Sequence, residues 1–141
     1  MADTLELEIV TPDKLLVRER VEQVQIPGKT GELGILPGHA PLITTLTIGE
    51  ISYRQGPNTH YLAVAWGFAE VLPDKVTILA DTAERAEEID VKRAQEARAR
   101  AEEALKRAAA DLDYDTTLHA LHRAEVRIAV AARAGHVVTA H

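Results

Sequence analysis

The sequence predicts an α+β fold in which a β-domain comes first and an α-helical hairpin follows. Three observations carry this. Up to about Thr82, short apolar stretches alternate with polar residues and are punctuated by glycine and proline. From Ala83 to Ala134 there is neither glycine nor proline, and alanine dominates. Within that second segment, Asp111-Leu-Asp-Tyr-Asp-Thr-Thr117 supplies helix-capping residues that divide it into two helices. The domains are accordingly 1–83, a β-domain, and 84–141, a two-helix hairpin with a tail.

In the β-domain Leu5, Leu7 and Ile9 alternate with Glu6 and Glu8, the period of a half-buried strand. Pro12-Asp13 turns the chain. Leu15 to Val17, then Val21, Val24 and Ile26, supply two further short strands before Pro27-Gly28. Strands are expected around Gly34–Leu36 and Leu42–Thr47, and from Thr47 to Arg54 after the bend at Gly49. Gln55-Gly-Pro-Asn58 is a strong turn signal. His60–Ala65, Gly67–Leu72 and Lys75–Ala80 complete the set, with Pro73-Asp74 as a hairpin turn. Short strands at this spacing predict a β-sandwich or barrel.

In the helical segment Glu96 with Arg100, Glu102 with Lys106 and Glu103 with Arg107 are i,i+4 pairs in the favourable orientation. Ala94, Ala97, Ala101, Ala104, Leu105 and Ala108 make one stripe of the first helix. Small side chains let backbones approach closely but bury little apolar area, so this seam should hold weakly. In the second helix Leu118, Leu121, Ile128, Ala129 and Ala132 form an aliphatic face. Ala120, Ala124 and Ala131 lie opposite, beside Arg123 and Arg127. Such a helix has two surfaces to offer. Gly135 is expected to end it, leaving a mildly apolar tail from His136 to His141.

Composition bounds the function. Of 141 residues, 46% are hydrophobic and 4% aromatic, enough for an aliphatic core. The absence of cysteine excludes disulfides and thiolate metal sites. A net charge of −6 argues against general nucleic-acid binding, which depends on neutralising phosphates with Lys and Arg. No apolar run approaches the length that spans a bilayer, and the first residues lack the pattern of a secretory signal. A soluble, intracellular protein is expected.

The densest feature is Gly31-Glu-Leu-Gly-Ile-Leu-Pro-Gly-His-Ala-Pro-Leu-Ile-Thr-Thr-Leu46. Glycine supplies backbone angles that other residues resist, and proline fixes one angle and removes a donor. Their density in an aliphatic setting predicts a shaped, rigid loop, a place for contact with a partner.

This run, followed by Leu79-Ala-Asp-Thr-Ala-Glu-Arg-Ala-Glu-Glu-Ile-Asp90 and an alanine-rich hairpin, resembles the epsilon subunit of bacterial F-type ATP synthase. The resemblance covers essentially the whole chain. It implies a ten-stranded β-sandwich, then the helical hairpin. It further implies a non-catalytic place on the central stalk, against the gamma subunit and the c-ring, peripheral to the cytoplasmic face of the bacterial membrane. The sandwich would anchor there, while the hairpin reached towards the alpha and beta subunits and opposed hydrolysis. The alternative is a free-standing nucleotide-binding regulatory module.

Glu32 and Leu33 are placed by the resemblance where the sandwich meets polar loops of the c-ring, and His39 is assigned to the interface or to bonding the loop backbone. As a general base His39 lacks a Ser or Cys partner in any nucleophile motif. His119 and His122 have a spacing compatible with two metal ligands but no third; they read as exposed helix histidines. The resemblance also implies an ATP site on the hairpin, at Glu84, Ile89, Asp90, Arg93, Ala94, Arg100, Arg123 and Arg127. Guanidinium groups from two helices could fork onto phosphate oxygens. Asp90 equally suits an N-cap, and Arg123 and Arg127 suit an acidic protein surface. No cofactor is required; ATP enters as a regulatory ligand.

Overall fold

The computed structural model describes the backbone of residues 3–107 and 113–139, with side chains at 3–107 and 114–134. Ala108, the first part of the Asp111–Thr117 interruption and the last two tail residues lie outside these. The chain forms two compact units, Met1–Arg85 and Ala86–His141.

The first unit contains eight strands: β1 Leu5–Val10, β2 Leu15–Val21, β3 Gln23–Gly28, β4 Gly31–Ile35, β5 Leu42–Leu46, β6 Gly49–Gln55, β7 Asn58–Leu72 and β8 Lys75–Arg85. Hydrogen bonding orders them β2-β1-β8-β7-β5-β3-β4, with β6 bridging β3 and β7. All pairings are antiparallel except β1 with β8. The alternation in β1 is realised in full: Leu5, Leu7 and Ile9 are buried, and Glu6 and Glu8 are not. Val24, Ile26, Ile35, Ile51, Leu62, Val71, Val76 and Ile78 join Leu5, Leu7 and Ile9 in a core that is aliphatic apart from Tyr53. Among the described residues no polar or charged side chain is fully buried.

Eight strands stand where the resemblance implied ten. The two segments expected at His60–Ala65 and Gly67–Leu72 are one strand of 15 residues, β7. Its first half pairs with β6, from Asn58 opposite Gln55 to Val64 opposite Gly49. Its second half pairs with β5, from Gly67 opposite Leu46 to Val71 opposite Leu42. The exchange of partners occurs at Trp66 and Gly67, which have φ of 63° and 134°. A bend of this kind turns the strand without breaking its ladder to β8, which continues on both sides. Consecutive inward side chains are Leu62 and Val64 before the bend but Ala69 and Val71 after it. The bend thus takes up the one-residue change of face that a continuous strand could not absorb.

The second unit begins with a 3₁₀ turn, Ala86–Glu88, followed by α1 Val91–Arg107 and α2 Asp113–Thr139. Where composition changes after Thr82, β8 continues to Arg85 and this unit starts at Ala86. Asp90 caps α1: its Oδ1 accepts from the Arg93 amide at 3.1 Å, and its carbonyl takes the first helical bond, from Ala94, at 3.0 Å. Ala94 and Ala101 are buried in α1, as the alanine stripe predicts. The helix α2 differs from expectation at its end. It continues through Gly135 to Thr139, since one glycine in a helix costs only about 1 kcal/mol. Of its two surfaces the alanine one is the more covered among the described residues: Ala124 is buried, and Ala120 and Ala131 are half-buried. On the aliphatic one Leu121 and Ile128 are half-buried and Leu118, Ala129 and Ala132 exposed; Val130, outside both, is buried. The predicted i,i+4 pairs of α1 do not close into ion pairs among the described residues, in keeping with the small worth of exposed pairs.

Candidate functional site

The glycine- and proline-rich stretch begins as a tight hairpin. Gly28 pairs with Gly31, and a Cβ on Gly28 would lie 3.0 Å from the Gly31 carbonyl oxygen. Gly31 itself has φ of 137°. The tip is Lys29-Thr30, so Glu32 sits one pair back, exposed on β4 opposite Pro27. Leu33, opposite Ile26, is half-buried against the core and orients the strand.

After Ile35 the chain enters the turn that carries Pro37, Gly38 and His39. The Gly38 amide donates to the Pro73 carbonyl at 2.7 Å, which ties this loop to the turn between β7 and β8. The His39 amide donates to the Leu36 carbonyl at 3.2 Å, and its Nδ1 donates to the Ala40 carbonyl at 2.7 Å. The imidazole thus bonds loop backbone. The rigidity read from glycine and proline has a second source here, a long-range bond to another turn.

Beside this loop lies a feature the sequence reading missed. Ile43 of β5, Phe68 of β7 and Leu79 of β8 are 71%, 56% and 53% exposed. Register sets Thr45, Phe68 and Leu79 in one row across three strands, and Ile43, Glu70 and Thr77 in the next. Ile43, Phe68, Ala69, Glu70, Thr77 and Leu79 line a shallow groove of about 270 Å³. The signal was available: Phe68-Ala-Glu-Val71 and Val76-Thr-Ile-Leu-Ala80 carry large apolar residues on both parities of the strand. A strand facing water on one side does not need the second set.

The same outer surface continues into β1, where Glu8 pairs with Thr77 in register. The Glu8 carboxylate accepts from Arg18 Nε at 2.9 Å and stands 3.6 Å from Lys75 Nζ. The Arg18 hydrogen bond, followed by the fields of Lys75 and Arg18, holds the Glu8 carboxyl below the usual range despite partial desolvation.

The residues assigned to ATP are divided between the units. Glu84 lies on β8 opposite Ala63, in the sandwich unit. Ile89 is buried just before α1, Asp90 is the exposed N-cap, and Ala94 is fully buried. Arg93 and Arg100 are exposed on α1, seven residues apart and so on one face of it. Arg123 and Arg127 are half-buried on α2, which packs against α1. Two cationic pairs are thereby carried by two packed helices. His119 and His122 are exposed on α2. Among the described residues no group of three His, Asp or Glu is placed to hold a metal ion.

The family of ATP synthase delta/epsilon chain β-sandwich domains matches residues 4–86, and that of delta/epsilon long α-helix domains matches residues 87–132. The chain belongs to the epsilon chains of bacterial ATP synthases. It is 74% identical to the ATP synthase epsilon chain of Koribacter versatilis (strain Ellin345) over 106 residues, 75% of each chain. Against epsilon chain 2 of Syntrophotalea carbinolica it is 48% identical over 136 residues, 96% of this chain and 99% of that one. The fold resembles a chain of the Euglena gracilis mitochondrial ATP synthase OSCP/F1/c-ring assembly. There the TM-score is 0.78 at 24% identity, covering 96% of this chain and 82% of the other. A chain of the Tetrahymena thermophila mitochondrial central stalk/c-ring matches with a TM-score of 0.57 at 15% identity, over 92% and 95%. These likenesses extend the epsilon fold to distant complexes. No helix among the described residues is long and apolar enough to cross a membrane.

Proposed function

We propose that this epsilon chain is a non-catalytic subunit of the central stalk, coupling proton-driven rotation to ATP synthesis and restraining ATP hydrolysis. The observation that carries the reading is the match of both family domains, in order, across residues 4–132. The distant fold relatives come from an F1/c-ring assembly and a central stalk with its c-ring. By analogy, the sandwich anchors to gamma and the c-ring on the cytoplasmic face of the membrane, and the helices act on alpha and beta.

The surfaces fit this division of labour. The apolar outer face of β5, β7 and β8 has the character of a lasting subunit contact and is assigned to gamma. Glu32, Leu33 and the locked loop bearing His39 are assigned to the polar loops of the c-ring. On the hairpin, Arg93, Arg100, Arg123 and Arg127 supply the donors that phosphate oxygens accept. Asp90 caps the helix that carries two of them. ATP binding there would compete with use of Arg123 and Arg127 against acidic surface on the catalytic subunits. A ligand that favours one arrangement of the hairpin shifts its population by its difference in affinity.

The test is ATP hydrolysis by the whole complex, assembled with the full chain or with one truncated near Asp90. Hydrolysis should rise on truncation. An unchanged rate would remove the inhibitory role and leave the anchoring one.

A further inference from the structure

Trp66 is the sole tryptophan and the sole non-glycine described residue with positive φ, at 63°. In that region a side chain meets its own backbone, so glycine or asparagine is the usual occupant. A bend between two strand partners could be made by Gly67 with a second glycine before it, at no steric expense. A bulky aromatic occupies the position, and 36% of it is exposed. Packing covers the rest of it but does not account for the exposed third.

Its surroundings do. Trp66 immediately precedes Gly67, which pairs with Leu46 and Ala80, and stands two residues from the exposed Phe68. It lies where the apolar rows of Ile43, Phe68 and Leu79 end. On β7 and β8 the charged residues nearest Trp66 are carboxylates, Glu70 and Asp81, both exposed. The cations Lys75 and Arg18 stand further off beside Glu8, and Lys29 at the β5 edge.

Resting on the reading that the outer face docks on the stalk, we propose that Trp66 is the anchoring side chain of that interface. It inserts into an apolar pocket, rimmed by Lys or Arg, on the neighbouring stalk subunit. The acidic flank supplies the charge complementarity, and an aromatic ring adds cation–π attraction to a basic rim. Tryptophan is the residue type most often found to dominate such contacts, because it brings a large rigid surface. Backbone strain retained at one exposed aromatic is the cost expected of a residue kept for binding.

The experiment compares the wild-type chain with Trp66→Gly and Trp66→Phe, bound to the synthase core stripped of its own epsilon chain. Glycine relieves the strain, so W66G should keep or raise the thermal midpoint of the isolated chain while its affinity falls by about tenfold or more. W66F should bind with intermediate affinity. In wild-type chain labelled with 5-fluorotryptophan, the single fluorine signal should shift on assembly. Unaltered binding by W66G, or a fluorine signal that does not move, overturns the anchor. A large fall in the midpoint of W66G also overturns it, by giving Trp66 a structural role. If the wild-type chain does not bind the stripped core, the docking reading itself fails, and the anchor with it.

Discussion

Beside Trp66, Gly67 cannot be exchanged for any other residue without force. Its φ is 134°, and a Cβ there would strike the Leu79 carbonyl oxygen and come within 2.8 Å of Ala80 Cα. Both obstacles are backbone of the paired strand, so neither can rotate away. Gly67→Ala should destabilise the sandwich by about 3 kcal/mol, combining conformational strain with overpacking. At roughly 4–8 °C per kcal/mol for a domain of this size, the thermal midpoint followed by circular dichroism should fall by more than about 10 °C. A second residue-scale outcome concerns Glu8, whose carboxyl is held low first by Arg18. A carboxyl lowered in the folded state adds stability that is complete above the unfolded value, about 4.3 for Glu. That stability is lost as the pH falls through the lowered one. Thermal midpoints measured from pH 7 down to pH 3 should therefore decline less steeply in Glu8→Gln than in the wild type, the curves converging at the acid end. Parallel curves would show that the Arg18 and Lys75 contacts carry no linkage.

Among the elements, legibility followed locality. β1 could be read from five residues because its alternation is a property of the strand alone, and α1 from its alanine spacing and Asp90. β7 could not be read as one strand. Its change of partners at Trp66 and Gly67 is decided by β5 and β6 on one side and by an unbroken β8 on the other. Which surface of α2 is the more covered was left open for a related reason. Leu118 and Leu121 are the larger apolar groups, yet Ala124 is the buried one of the two sets, since two helices in close approach need small side chains between them. The glycine-rich loop was legible as rigid and not as tied to Pro73, a bond from 35 residues away in sequence. The element most open to test is the start of α1. Its first turn carries Lys92 and Arg93 and no acidic residue, against the positive end of the helix, which leaves the Asp90 cap as the compensating group. Asp90→Ala should cost about 1 kcal/mol and speed amide exchange in the first turn of α1. Asp90→Asn should keep most of the cap, because asparagine accepts the same bond. If Asn and Ala behave alike, the negative charge rather than the capping bond is what Asp90 supplies.

The two units differ in what holds them, and that difference reaches the regulatory reading. The sandwich core is built from Leu, Ile and Val, each worth about 1.5–3 kcal/mol when fully buried. The fully buried members of α1 are alanines, whose single methyl contributes less than about 1 kcal/mol each. Opening the hairpin should thus require less free energy than unfolding the sandwich. Native-state hydrogen exchange should find amides of α1 and α2 at least about tenfold less protected than those of β1, β7 and β8. Equal protection would mean that the hairpin does not open separately, and a regulatory hairpin would lose its physical basis. The same measurement decides the ligand. A molecule that binds only the closed hairpin adds about 2.7 kcal/mol at a hundredfold excess over its dissociation constant, slowing exchange there by roughly a hundredfold. MgATP should produce that slowing in α1 and α2, with the β amides unaffected, and Arg93→Ala with Arg127→Ala should abolish it. Slowing that survives loss of both arginines would place the nucleotide elsewhere, and no slowing in the wild type would leave these cations to the catalytic subunits alone.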